Sequence, residues 1–204
     1  MTIPAPKPKK RENHPEPPSR DQERQRIVQI YTRPHITPII PGLYLGNLTA
    51  SHNLRLLRAH NITAIVSLTM NACEEWDTTT REVVPKDRHK WIQCEDSFTQ
   101  DLLGFLGEVC DFIDLAVPGG LVWRDLVHRN ESRPGVLVHC TLGVSRSSSV
   151  VIAYLMRRFG IGLDEAWRFV KSRRRGVRPN WHFRRQLEIW GMEVAVFGSS
   201  RGSL

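Results

Sequence analysis

The sequence has no two cysteines close enough to read as a pair. Its four, Cys73, Cys94, Cys110 and Cys140, include no Cys-x-x-Cys, which excludes a zinc-ribbon pattern and gives no disulfide framework. Nor does any apolar run approach the ~20 residues of a membrane-spanning helix. The opening residues, Met1 to Arg11, lack the apolar stretch of a secretory signal. A reducing compartment, cytoplasmic or nuclear, is therefore expected, and free thiols survive there. Acidic residues are outnumbered by basic ones, 21 against 29, so the net charge is +8. A basic surface attracts phosphoproteins, nucleic acids and acidic lipids, and charge alone does not choose among them.

What remains is an ordinary globular balance, with 40% hydrophobic and 25% charged residues. Residues 1–35 are rich in Pro, Lys, Arg, Glu and Gln. They carry too little apolar surface to offset the entropy of ordering, so they read as a disordered basic extension. Within it, Asp21 to Ile30 allows a short helix that Pro34 stops. Lys7 to Arg11 reads as a solvated basic tail before it reads as a nuclear-localisation patch. The folded domain is expected over residues 36–197, and the Gly/Ser-rich residues 198–204 should fray.

Ile39 to Gly46 reads as a short strand interrupted by a turn. Ser51 is the expected N-cap of a helix carrying Leu54, Leu56, Leu57 and Ala59. Ile62 to Leu68 is a β-branched apolar run, hence a buried strand. Residues 71–88 are polar and read as a loop, and His89 to Cys94 as a strand. From Asp101 to Val117 apolar residues recur at helical spacing, and Pro118-Gly119-Gly120 ends that helix. Residues 121–133 read as an insertion. Val136 to His139 is a strand, and helices are expected over Ser147–Phe159, Leu163–Arg174 and about Phe183–Val196. Alternating strands and helices specify an α/β domain with a central, mostly parallel, twisted sheet flanked by helices.

Cys140 follows the strand Val136–His139 directly, and Arg146 stands where the next helix begins. Between them lie Thr141, Leu142, Gly143, Val144 and Ser145. Such a loop wraps backbone N–H groups around one anion, and the helix behind it adds unpaired N–H groups and a positive dipole end. A tetrahedral dianion fits there without a metal or cofactor. The same field lowers the pKa of a thiol at Cys140. Arg146 supplies a bidentate, charge-assisted contact to two phosphate oxygens, and Gly143 allows a tight turn. Ser147 can donate a hydrogen bond to the sulfur as it leaves phosphocysteine. His139 reads as a partner holding the loop, not as a base. The other three cysteines read as small buried hydrophobes. The Arg173–Arg175 run reads as a solvated helix end, with substrate steering secondary, and Trp167, Trp181 and Trp190 as packing residues.

His139-Cys140-x-x-Gly143-x-Ser145-Arg146-Ser147 resembles the Cys-x5-Arg signature of the cysteine phosphatases, in particular small atypical dual-specificity members. Ile39–Gly46 is similar to that family's first strand, Ile152–Met156 to its helix after the loop, and Arg178-Pro179-Asn180 with Phe183, Gln186 and Leu187 to its last motif. The resemblance spans about residues 36–197. It implies the cysteine-phosphatase fold and hydrolysis of phosphotyrosine and phosphoserine or phosphothreonine in protein substrates. It places the general acid at Asp96, with Glu95 the direct competitor and Asp101 behind it. Asn180 is implied to order the phosphate loop from behind. No lysine stands at Thr141, Leu142 or Val144, which disfavours an inositol-lipid substrate. Other readings are a phosphatase of RNA 5′ ends or of phosphoinositides, or a phosphate-binding adaptor. Nucleic acid as a partner is not favoured, and oligomeric state is not fixed.

Overall fold

The computed structural model describes residues 19–22, 33–117 and 133–200, the last five of them by backbone alone. The chain divides into two compact units, Met1–Ile30 and Tyr31–Leu204. In the first, Ser19 and Gln22 cap a helical turn reciprocally. Gln22 N–H donates to Ser19 Oγ at 3.2 Å and Ser19 N–H to Gln22 Oε1 at 2.9 Å. The body of the helix expected over Asp21–Ile30, residues 1–18 of the basic extension and nearly all of the 121–133 insertion lie outside the described residues, while Arg33 and His35 at the end of the extension are held by the Asn47 side chain.

The second unit is built on a five-stranded sheet in the order β1-β2-β5-β3-β4. Strands β1 (Ile36–Ile40) and β2 (Leu43–Asn47) form an antiparallel hairpin around Pro41-Gly42, with Gly42 at φ 86°. Proline presets the first turn position and glycine the positive φ of the second. The other pairings are parallel. They involve β3 (Ile62–Thr69), β4 (His89–Gln93) and β5 (Gly135–Cys140). Strand β5 is buried throughout, as expected of a parallel strand covered on both faces. Alternate residues divide between two cores: Val136, Val138 and Cys140 join the large one, while Leu137 joins Leu57, Ile62, Ile65 and Val84 in a smaller one.

Helices α1 (Leu48–Ser51) and α2 (Leu54–Ala59) follow the hairpin. The N-cap expected at Ser51 is instead Asn53, whose Oδ1 accepts from Leu56 N–H at 3.0 Å. Ser51 ends α1 and turns its hydroxyl back to the Leu48 carbonyl. Residues 71–88 are not all loop. They hold α3 (Glu74–Asp77) and 3-10 turns at Thr80–Glu82 and Lys86–Arg88. Helix α4 (Leu103–Ala116) buries Leu106, Val109, Cys110, Ile113 and Ala116, a stripe at three- and four-residue spacing.

Helix α5 (Arg146–Phe159) is buried from Arg146 to Met156. It packs against the sheet, α4, α6 (Leu163–Arg173) and α7 (Trp181–Ser200). Gly160, left-handed at φ 64°, ends α5. Helix α7 spans Trp181–Ser200, longer at both ends than the expected Phe183–Val196. Of the three tryptophans read as packing residues, Trp190 is buried and Trp167 packs on the core. Trp181 is 59% exposed, its ring 5.6 Å from that of exposed Phe98. Among the described residues no helix is long and apolar enough to cross a membrane.

Candidate active site

Strand β5 delivers Cys140 to the C-terminal edge of the parallel strands, beside Asn47 of β2 and Leu68 of β3. The chain then turns through Thr141–Ser145 into α5. At Gly143 φ is +70°, and an added Cβ would lie 2.5 Å from the Gly46 carbonyl oxygen and 2.7 Å from Arg174 Nη2. Both conformation and space demand glycine there.

The loop carbonyls point away from its centre, and each finds a donor. The Cys140 carbonyl faces His139 Nδ1 at 3.4 Å, and the Thr141 carbonyl accepts from Leu48 N–H at 3.2 Å. Arg174 donates from Nη2 to the Leu142 carbonyl (3.1 Å) and from Nε to that of Gly143 (3.0 Å). Arg178 N–H takes the Val144 carbonyl at 2.9 Å. Carbonyls drawn outward leave the alternating N–H groups to converge on the other side, the geometry of an anion nest. Arg174 is thus not a solvated helix end: it is 8% exposed, and its Nη1 also reaches Thr37 Oγ1. Sequence reasoning missed it within the arginine run. The one hint was its place four residues after Val170, on the buried side of α6.

Cys140 Sγ accepts hydrogen bonds from Gly143 N–H and Ser147 Oγ, each at 3.2 Å. Burial pushes the thiol pKa up. The Ser147 hydroxyl and N–H, the Arg146 charge and the Val144 N–H outweigh it and hold the pKa below the ordinary thiol value. Arg146 is anchored by Nη1 to the Cys94 carbonyl and by Nη2 to Thr141 Oγ1, both at 3.0 Å. Among the described residues its buried Nε has no hydrogen-bond partner. An orphaned buried donor is costly unless a ligand satisfies it.

Asp96 lies on the segment after β4. Its Oδ1 accepts from Ser145 Oγ and from Asn180 Nδ2, both at 2.8 Å, and its Oδ2 stands 3.9 Å from Arg146 Nε. Glu95 is exposed, its backbone N–H bonded to Gln100 Oε1. Asp101 sits against the first turn of α4, its Oδ2 2.9 Å from where a Cβ on Gly104 would be. Of the three carboxylates, the structure brings Asp96 to the Cys140 loop. Asn180 meets that loop only at Ser145, by its N–H to Oγ at 3.1 Å. Its side chain instead ties Asp96 to α7, where Oδ1 caps Phe183 N–H at 2.8 Å. His139 is fully buried and bonds Ser67 Oγ at 2.6 Å more closely than it does the loop. Burial, with His89 nearby, lowers its pKa to about 3, so the ring is neutral.

The other cysteines differ. Cys94 and Cys110 are buried, and burial raises both pKa values to about 12. Cys73 is half-buried near His52 and Glu75. Its Sγ is 2.6 Å from Glu75 Oε2, well under the roughly 3.5 Å that two ligands of one tetrahedral zinc ion keep. That contact is a thiol donating to a carboxylate. Burial and this bond raise the Cys73 pKa to about 11.

Comparison with known proteins agrees with this geometry. The family model for the dual specificity phosphatase catalytic domain matches residues 43–193. Human dual specificity protein phosphatase 16 is 34% identical over 151 residues, covering 74% of this chain and 20% of that protein. Drosophila melanogaster dual specificity protein phosphatase MPK-4 is 35% identical over 164 residues, covering 76% and 36%. The chain therefore spans between a fifth and about a third of the length of these relatives. Among solved structures, human DUSP28 superposes with a TM-score of 0.63 at 26% identity, over 78% of this chain and 95% of that one. A mouse dual specificity phosphatase complexed with zinc tungstate gives 0.65 at 28%, over 80% and 90%. The family match begins at β2 and takes in both the Cys140 loop and Asp96, and the chain belongs to the dual specificity phosphatase family.

Proposed function

We propose that the protein hydrolyses phosphotyrosine and phosphoserine or phosphothreonine in phosphorylated proteins, through a phosphocysteine intermediate. The observation that carries this reading is Cys140 Sγ held by Gly143 N–H and Ser147 Oγ, beside an arginine whose Nε is unspent. The Cys140 thiolate attacks phosphorus in line. The ester P–O bond breaks, and Asp96 gives its proton to the leaving oxygen. Arg146 and the loop N–H groups hold the three equatorial oxygens as charge gathers on them. In the second step Asp96, now a carboxylate, takes a proton from water. The water oxygen attacks phosphorus and the S–P bond breaks. Inorganic phosphate leaves, while the Ser147 hydroxyl stabilises the departing thiolate.

The similar mouse phosphatase is complexed with zinc tungstate. Tungstate is a tetrahedral oxyanion of phosphate's shape, which supports the nest reading. The RNA and lipid alternatives lean on the basic surface, and Arg174 is spent behind the loop rather than offered to solvent. The test is hydrolysis of phosphotyrosine and phosphothreonine peptides in the presence of a chelator, with Cys140→Ser as control. Turnover that disappears in Cys140→Ser supports the reading. Vanadate binding without turnover of either peptide would falsify it.

A further inference from the structure

A line of hydrogen bonds runs from the surface to the peptide of Cys140, and its direction follows from donor chemistry. Arg81 Nη1 lies 3.1 Å from His89 Nδ1. A guanidinium only donates, so His89 Nδ1 accepts, and the neutral ring carries its proton on Nε2. That N–H meets Ser67 Oγ at 2.7 Å. The Ser67 hydroxyl has one proton, and it goes to His139 Nε2 at 2.6 Å. His139 then carries its proton on Nδ1, which faces the Cys140 carbonyl at 3.4 Å. Reversing the His89 link would set two donors against each other at Arg81, and reversing the His139 link would turn a bare Nδ1 lone pair on the Cys140 carbonyl, acceptor against acceptor.

The surroundings hold the line in place. Trp76 of α3 meets both imidazoles edge-on, at 4.9 Å from His89 and 5.6 Å from His139. Its own Nε1 is fixed to Ser51 Oγ at 2.8 Å. Arg81 is steadied by the Val84 carbonyl (3.3 Å) and by Asp77 (3.4 Å). Burial, with the Arg81 charge, lowers the His89 pKa to about 4, so both rings stay neutral at ordinary pH.

We propose that Arg81 and His89 are positioning residues for Cys140, acting through the one-directional chain Arg81→His89→Ser67→His139→Cys140 carbonyl. By drawing that carbonyl outward, the chain completes at the loop's first residue what Leu48, Arg174 and Arg178 do at the next four. The inference rests on the catalytic reading of Cys140, but its principal test needs no turnover.

Long-range proton–nitrogen correlation of the imidazoles reads the tautomers directly. His89 should carry its proton on Nε2 and His139 on Nδ1. In Arg81→Met the fixed tautomer of His89 should be lost. The pH midpoint for alkylation of Cys140 should rise, and kcat should fall about three- to tenfold with KM unchanged, the scale of one hydrogen bond. Arg81→Lys restores a donor and should recover both. Ser67→Ala breaks the chain without touching Arg81 and should move the alkylation midpoint the same way. A His139 protonated on Nε2 overturns the proposal, as does a Ser67→Ala alkylation profile that matches wild type. Absence of phosphatase turnover in a wild type with the expected tautomers would count against the proposed function alone.

Discussion

Arg174 Nε reaches the Gly143 carbonyl at 3.0 Å across a sequence separation of 31 residues. The same guanidinium takes the Leu142 carbonyl and Thr37 Oγ1. Its planar fork serves three acceptors at once, which a lysine ammonium on a flexible stem does not reproduce. Arg174→Met leaves two loop carbonyls without their partner, at about 1–3 kcal/mol each. Arg174→Lys should recover only part of the loss. The expected result is a lower urea midpoint in both variants, with vanadate affinity reduced at least about tenfold in the methionine variant. Unchanged vanadate affinity in Arg174→Met would show that the loop holds its shape without this support.

The lowered Cys140 pKa makes a signed prediction. A thiol whose folded pKa is depressed contributes stability that is present above its unfolded pKa and lost as pH falls through the folded value. Wild type should therefore lose stability relative to Cys140→Ser as pH drops through that window. The alkylation midpoint should lie below the ordinary thiol range. Ser147→Ala removes the hydroxyl bond to Sγ and should shift the midpoint upward. It should also slow hydrolysis of the phosphocysteine more than its formation, visible as a burst in pre-steady-state kinetics.

Asp96 carries a separate expectation. If it protonates the leaving oxygen, Asp96→Asn should cost about 10²–10⁴ in kcat/KM on a phosphotyrosine peptide. Far less should be lost on an aryl phosphate whose phenolate leaves unaided. Glu95→Gln and Asp101→Asn should stay within about twofold of wild type, since mutations away from the reacting atoms change little. An equal loss on both substrates would assign Asp96 to holding Ser145 and Asn180 in place instead.

The chemistry was legible where it is contiguous. His139 to Ser147 holds the thiol, the turn glycine, the arginine and the serine in nine residues, and strand and helix signals flank them. Strand β3 announced itself by a β-branched apolar run and β5 by a short apolar one. What escaped depends on partners far along the chain. Helix α3 has four residues, too few to display a 3.6 period, yet it supplies Trp76 to the imidazoles. Arg174 looks like its neighbours until the carbonyls it collects are known. Trp181 carries the ordinary expectation of burial for its type, but it stands exposed beside Phe98 on the segment that follows Asp96.

Two glycines with nearly the same positive φ separate conformation from crowding. Gly160 has φ +64° with nothing within 4 Å of an added Cβ, whereas at Gly143, φ +70°, that atom would strike the Gly46 carbonyl at 2.5 Å. Alanine at either position pays the left-handed penalty of about 1–2 kcal/mol. For Gly160→Ala that should be all: a Tm lower by a few degrees, at roughly 2–4 °C per kcal/mol for a chain of this size, with kcat and vanadate affinity unchanged. Gly143→Ala must also push the loop off β2 or distort it. It should therefore lose anion binding even below its Tm, where it is still folded. Thermal scans alongside vanadate titration of both variants decide the matter. Full anion affinity in folded Gly143→Ala would mean that the close approach of the loop to Gly46 is not what shapes the nest.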